Sequence, residues 1–154
     1  MESEMTQQLR ERIARLMTFV SNSEGERINR LMAYELVECS WEERSLTLAF
    51  PVEWWMLNPF EGMHGGLICT AFDIAFGTLS LTLSGMKQCP TAQLDVSFLQ
   101  AVGLGDRLLV RVKANHMGRS LGNLTGEAIS AKTGKVCATA STVFFLGGNG
   151  KVLS

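Results

Sequence analysis

From Leu67 to Leu83 the chain reads LICTAFDIAFGTLSLTL, 17 residues with no proline and a single charge, Asp73. With the glycines that precede it, this run predicts one long helix from His64 to about Ser84, stopped by Gly85. It is slightly short for a bilayer, and Asp73 and several Ser and Thr side chains suit a membrane poorly, so the reading is a buried helix. A helix that is apolar around most of its circumference needs cover on most sides. The rest of the chain has to supply that cover.

Before this segment, Leu9, Ile13, Leu16, Met17 and Val20 recur at helical spacing and predict an amphipathic helix within residues 1–25, ended by the break SNSEGE. Two strand-like segments follow, Met32–Cys39 and Arg44–Phe50, joined by a hairpin-sized connection at Ser40–Glu43. Residues 51–63 hold Pro51, Pro59 and Gly62 and read as a loop. After Pro90 the hydrophobic period becomes two: Leu94, Val96 and Phe98 alternate with Gln93, Asp95 and Ser97, and Leu108, Val110 and Val112 alternate with Arg107, Leu109 and Arg111. Turns at Gly118–Ser120 and Lys132–Lys135 lead into two more strands, about 121–131 and 136–146. The predicted order is α-β-β-α-β-β-β-β, an α+β fold in which one strongly curved antiparallel sheet wraps the central helix. No repeat, low-complexity tract or linker divides it, so residues 1–154 read as a single domain.

A hydrophobic fraction of 46% and a mean hydropathy of +0.13 are high for a soluble monomer of this size and point to an oligomer. The net charge of −1 gives no reason to expect nucleic acid as a partner. Charge is uneven, with 6 Lys/Arg against 11 Asp/Glu in residues 1–61 and 8 against 4 in residues 62–154, so the second half could meet an anionic ligand. Cys39, Cys69, Cys89 and Cys137 lie far apart without a CxxC pair, which argues against zinc and disulfides and for buried thiols in a reducing cytoplasm. The N-terminal residues are charged and lack the apolar core of a signal peptide.

Asn58, then His64-Gly65-Gly66 six positions on, then Asp73-Ile-Ala and the stretch TAQLDVSFL from Thr91 to Leu99, together resemble the hotdog-fold acyl-CoA thioesterases, in particular the phenylacetate-pathway and 4-hydroxybenzoyl-CoA thioesterase-like group. Gly118-Arg119 and Thr133–Lys135 fall where such proteins have comparable turns. The likeness spans roughly residues 30–147. It implies hydrolysis of acyl-CoA to free acid and CoA, without metal or other cofactor, by a homodimer or a homotetramer built as a dimer of dimers. It also implies roles. Asp73 matches the carboxylate acting as nucleophile or general base, and Gly65 the helix-start amide that polarises the thioester carbonyl. His64 and Asn58 match residues positioning substrate or water, and Thr91 stands where a hydroxyl lies close to the carboxylate. The bulky Trp54-Trp55-Met56 departs from the pattern and leaves the acyl preference open.

The residues support a parallel reading of their own. A helix N-terminus offers free N–H groups and partial positive charge, and Gly65 and Gly66 let a ligand oxygen come close. The plainer reading of the two glycines is a turn; that of His64 is a capping residue, that of Asp73 a carboxylate facing a polar pocket, and that of Thr91 the opening residue of a strand. Nine residues at 100° each turn through 900°, so His64 and Asp73 point to opposite sides of one helix, about 13.5 Å apart along its axis. They cannot share a site within one subunit, whereas two antiparallel helices related by a dyad can bring one's His64 and Gly65 beside the other's Asp73. Arg119, next to Gly118 and Ser120, is a candidate for CoA phosphates, with Lys113 and Lys135 behind it; each also reads as a solvated strand-end charge. Trp54, Trp55 and Met56 read as acyl-pocket lining or dimer packing, and His116 as a surface strand residue. A non-catalytic acyl-CoA-binding hotdog protein and a hydratase or dehydratase on the same fold remain as alternatives.

Overall fold

The structure, a computed structural model, describes residues 1–23 and 25–147; Glu24, inside the SNSEGE break, lies outside the described residues. Helix α1 (Glu4–Ser21) starts at Ser3, whose Oγ accepts from the Thr6 N–H at 3.1 Å. Its apolar stripe buries Leu9, Ile13 and Leu16, as the spacing predicts. The Thr6 hydroxyl donates to Glu42 at 2.7 Å and accepts from the Trp41 N–H at 3.0 Å. These bonds fix the start of α1 to the hairpin between β1 (Glu35–Ser40) and β2 (Ser45–Pro51).

The first strand begins later than expected. Residues Ile28–Leu31 form a short helix, α2, and Ala33 takes a positive φ of 47° before the chain extends. The loop at 51–63 also has more structure than its prolines suggest: Trp54–Met56 form a 3₁₀ turn, and Leu57 bridges to Met63.

Helix α3 (Gly65–Leu83) is the predicted central helix, with Ala71, Phe72, Ala75, Phe76 and Leu79 fully buried. By length and hydropathy it could cross a membrane, but the sheet wraps it and more than half of it is buried in the core. Strands β3 (Thr91–Phe98), β4 (Arg107–Met117), β5 (Leu121–Ser130) and β6 (Val136–Phe145) complete one six-stranded antiparallel sheet, ordered β1-β2-β4-β5-β6-β3. Along β4, Leu108, Val110, Val112 and Ala114 turn inward while Arg107, Arg111 and Lys113 turn out. Gly126 on β5 has no room for a side chain, since a Cβ there would lie 2.8 Å from Val112 and 3.3 Å from Phe76. This close approach seats the helix in the curve of the sheet.

Strands β1 and β3 are the two edges. Only Leu94 and Val96 of β3 are even half-buried; its other six residues are exposed. At its end, Phe98 and Leu99 are 54% and 59% exposed, and nearby Phe60 is 92% exposed. An eight-residue edge strand with open backbone groups and bare apolar side chains is a pairing surface that a monomer leaves uncovered.

Candidate functional site

Two groups of predicted residues meet at opposite ends of β3. At its start, the Thr91 hydroxyl donates to Asp73 Oδ1 at 2.7 Å, from the strand's first residue to the middle of α3. Both line a cavity of about 550 Å³ between α1 and α3. Asp73 itself is exposed, against the expectation of a desolvated carboxylate. The reason is geometric: Gly66, Asp73, Gly77 and Ser84 share the one stripe of α3 that neither the sheet nor α1 covers. Among the described residues nothing covers Asp73.

At the other end of β3 lies the start of α3. His64 is its N-cap, and His64 Nδ1 accepts the Gly66 N–H at 3.1 Å. The Leu67 and Ile68 amides both bond to the His64 carbonyl, at 2.9 and 3.1 Å. Gly65 therefore presents the only amide of this first turn without an acceptor among the described residues. It opens, with Asn58, Phe98 and Gln100, on a separate cavity of about 340 Å³. The Phe98 ring would stand 3.3 Å from a Cβ at Gly65. Asn58 uses its side-chain oxygen within its own loop, accepting from Phe60 N–H at 2.8 Å and Gly62 N–H at 3.2 Å. Its amide nitrogen is left for the cavity. Asp73 and Gly65 do not share a cavity within one chain, and eight steps of helix set them about 12 Å apart along its axis.

Gly118, Arg119 and Ser120 form the turn between β4 and β5. Gly118 is required by close approach, because a Cβ there would lie 2.8 Å from the His116 ring and 3.0 Å from the Leu121 carbonyl. Gly122, just past the turn, pairs with Phe144, which pairs with Thr91. The turn thus sits at the Asp73 end of the sheet, about two strand spacings, or roughly 10 Å, from Thr91. Arg119 has no ion-pair partner among the described residues, whereas Lys113 lies 3.6 Å from Glu43 on the outer face. Trp54 and Trp55 line neither cavity and are 79% and 42% exposed, while Met56 is buried.

The cysteines depart from expectation in part. All four are free, but only Cys39 and Cys137 are buried; Cys69 and Cys89 are half-exposed, and Cys89 lines the Asp73 cavity. Burial raises the thiol pKa of Cys39, Cys69 and Cys137. Among the described residues no three His, Cys, Asp or Glu side chains converge to hold a metal. What sequence reasoning missed is the far wall of the Asp73 cavity, made by Leu16, Phe19 and Val20 of α1 and by Asn29 and Tyr34. The α1 stripe was readable, but nothing marked which of its residues faced a cavity.

One helix inside a curved sheet thus carries a carboxylate held by a hydroxyl and, at its start, an amide without an acceptor among the described residues. The sequence profile of the thioesterase superfamily matches residues 60–137, just over half of the chain, and the chain belongs to that superfamily. A comparison with curated protein sequences yields no match. Among solved structures, the PaaI protein of the E. coli phenylacetic acid degradation operon superposes with a TM-score of 0.80 at 18% identity, over 97% of this chain and 100% of that one. The smu.793 protein of Streptococcus mutans, solved with acetyl-CoA, has a TM-score of 0.70 at 24% identity, covering 84% and 99%. A hypothetical thioesterase of Streptococcus pneumoniae, solved with coenzyme A, has a TM-score of 0.68 at 22% identity, covering 77% and 88%. The fold is the hotdog fold.

Proposed function

We propose that this protein hydrolyses acyl-CoA thioesters to a free acid and CoA, at two equivalent sites each shared between two copies of the chain. The observation that carries the reading is that Asp73 with Thr91, and the Gly65 amide, which has no acceptor among the described residues, lie at opposite ends of one exposed edge strand. Suppose two β3 strands pair antiparallel about a dyad between Leu94 and Asp95. Thr91 of one chain then stands opposite Phe98 of the other, and Asp73 comes to the Gly65 end of the second helix. Such pairing also covers Phe98 and Leu99 and takes Asp73 out of water.

In that site the Gly65 N–H holds the thioester oxygen, and negative charge builds on this oxygen as the carbonyl carbon is attacked. Asp73 either takes a proton from a water that attacks, or attacks itself to give an anhydride that water then opens. In both routes the carbon–sulfur bond breaks, sulfur leaves as thiolate, and the proton released from water ends on sulfur or bulk solvent. Thr91 fixes which Asp73 oxygen faces the substrate. His64, with Nδ1 engaged in its cap, shapes the helix start, and the Asn58 amide nitrogen is a donor for substrate or water. We assign Arg119 to the phosphates of CoA; the S. pneumoniae and S. mutans proteins of the same fold are solved with coenzyme A and acetyl-CoA. The four free thiols fit a reducing cytoplasm.

Thiol release from a small panel of acyl-CoAs tests the activity, and Asp73→Asn tests the mechanism. The expected result is hydrolysis by the wild type and a kcat at least about a hundredfold lower in the variant. A non-hydrolysable acyl-CoA should still bind that variant. Hydrolysis by Asp73→Asn at close to the wild-type rate would reduce Asp73 to a structural residue and overturn the mechanism.

A further inference from the structure

We propose that Gln100 binds the thiol side of the substrate, its carboxamide holding the amide of pantetheine that stands nearest the sulfur of an acyl-CoA. This rests on the thioesterase reading for the thioester oxygen at the Gly65 N–H, and adds a residue to which that reading gives no role.

The cavity of about 340 Å³ at the start of α3 has no charged side chain in its lining among the described residues, and Asn58 and Gln100 supply its polar side chains. Ile68, Phe98 and Leu99 give it apolar walls. A phosphate finds no cation here. A neutral chain in which short methylene runs separate amides finds both apolar contact and hydrogen bonds. Pantetheine, which joins the sulfur of CoA to its phosphates, is such a chain, and its first amide lies two methylenes from sulfur. With the thioester oxygen at the Gly65 N–H, the sulfur is bonded to the same carbon as that oxygen. The first amide therefore falls inside this cavity rather than beyond it.

The two carboxamides are not equivalent. The Asn58 oxygen already accepts from the Phe60 and Gly62 N–H groups, which leaves its NH₂ as a donor. Gln100 is committed through its backbone: its N–H and that of Leu99 both bond to the Cys137 carbonyl, at 3.1 and 2.8 Å, and tie the end of β3 to β6. Its side chain is exposed and has no hydrogen-bond partner among the described residues, so its oxygen and its NH₂ are both free. An amide ligand offers one N–H and one C=O, and a free carboxamide can meet either. The anchored main chain keeps Gln100 at the cavity and reduces the ordering that binding requires. An alkyl group in place of the amide displaces water from Gln100 without replacing the hydrogen bond.

Two thioesters of one acyl group test this on the full-length protein. In the first the leaving thiol is N-acetylcysteamine, which keeps the amide two methylenes from sulfur and lacks the rest of CoA. In the second it is pentane-1-thiol, of similar length and without the amide. Both are assayed with the wild type and with Gln100→Met, which keeps the length of an exposed side chain and removes its donor and acceptor. The amide-to-alkyl ratio of kcat/KM should be at least about fivefold lower in Gln100→Met than in the wild type, the scale of one hydrogen bond. S-alkyl-CoA, a thioether that cannot be hydrolysed, should bind Gln100→Met about fivefold more weakly by calorimetry. The same ratio in both proteins overturns the proposal, including the case in which both substrates lose equally, because a general disturbance of the site does not read the amide. If the wild type hydrolyses no thioester, the hydrolase reading fails and the thioether decides the assignment of Gln100. A weaker complex with Gln100→Met then upholds it, and an equal one overturns it.

Discussion

Gly65 can be tested at the level of one hydrogen atom. As the first residue of α3 it occupies the position where proline is best tolerated, since the N–H lost there has no intrahelical acceptor. The preceding residue, His64, already has φ −60° and ψ 133°, the extended backbone that a following proline demands. Gly65→Pro therefore removes the amide assigned to the thioester oxygen and keeps the helix. The added ring presses on Phe98, which is half-exposed and has room to move. We expect kcat to fall by roughly 10²–10³, the usual scale for losing one oxyanion donor, with the far-ultraviolet circular dichroism unchanged. A folded variant that keeps full activity would remove Gly65 from the mechanism. Asp73 shows how a residue can stand out in a sequence while its environment stays hidden. Its isolation within LICTAFDIAF marked it as a candidate, but the same apolar neighbours suggested burial, because a sequence does not say which stripe of a helix its own chain leaves bare.

Elements were legible in proportion to how local their causes are. The central helix, the four later strands and their turns follow from hydrophobic period and from Gly and Pro, and their ends agree closely with expectation, with β4 running up to the turn at Gly118. The turn at Ile28–Leu31 and the 3₁₀ turn at Trp54–Met56 were not, because each is too short to show a period. Asp106 was silent for another reason: its partners are distant in sequence. It is buried where β4 begins, and its carboxylate accepts from the Ser130 hydroxyl, the Arg107 N–H and the Lys132 N–H, so that β4 and the β5–β6 turn are tied together. Burial alone would raise its pKa, but the bonds from Ser130, Arg107 and Lys132 and the Lys132 charge outweigh it and hold the pKa below the usual carboxylate range. A depressed folded-state pKa gives stability that is present above the unfolded value of about 3.9 and is lost as pH falls through the folded value. Asp106→Asn should thus lower stability at neutral pH by about 1–3 kcal/mol, the cost of disturbing a buried acceptor set. The difference from wild type should shrink as pH falls below about 4. Thermal melts at several pH values check this, and a pH-independent difference would show that the Asp106 charge contributes nothing.

For the whole molecule the decisive matter is whether one chain can hold a complete site. Asp73 and Gly65 are separated by eight residues of α3 and open on different cavities, so a shared site requires two chains. Two inactive variants, Gly65→Pro and Asp73→Asn, distinguish the arrangements when they are unfolded and refolded together in equal amounts. Random pairing makes about half of the dimers mixed, and each mixed dimer has one site carrying both defects and one carrying neither. Activity should return to about a quarter of the wild-type value, given independent sites and equal refolding of the two parents. Differently tagged subunits, purified through both tags in succession, isolate the mixed dimer, whose activity should then approach half that of the wild type. A site completed within one chain gives the opposite result, because every chain in the mixture carries a defect. With subunit exchange verified by the tags and both parents inactive, a mixed dimer without activity would overturn the shared site, and with it the pairing of β3 strands about Leu94 and Asp95.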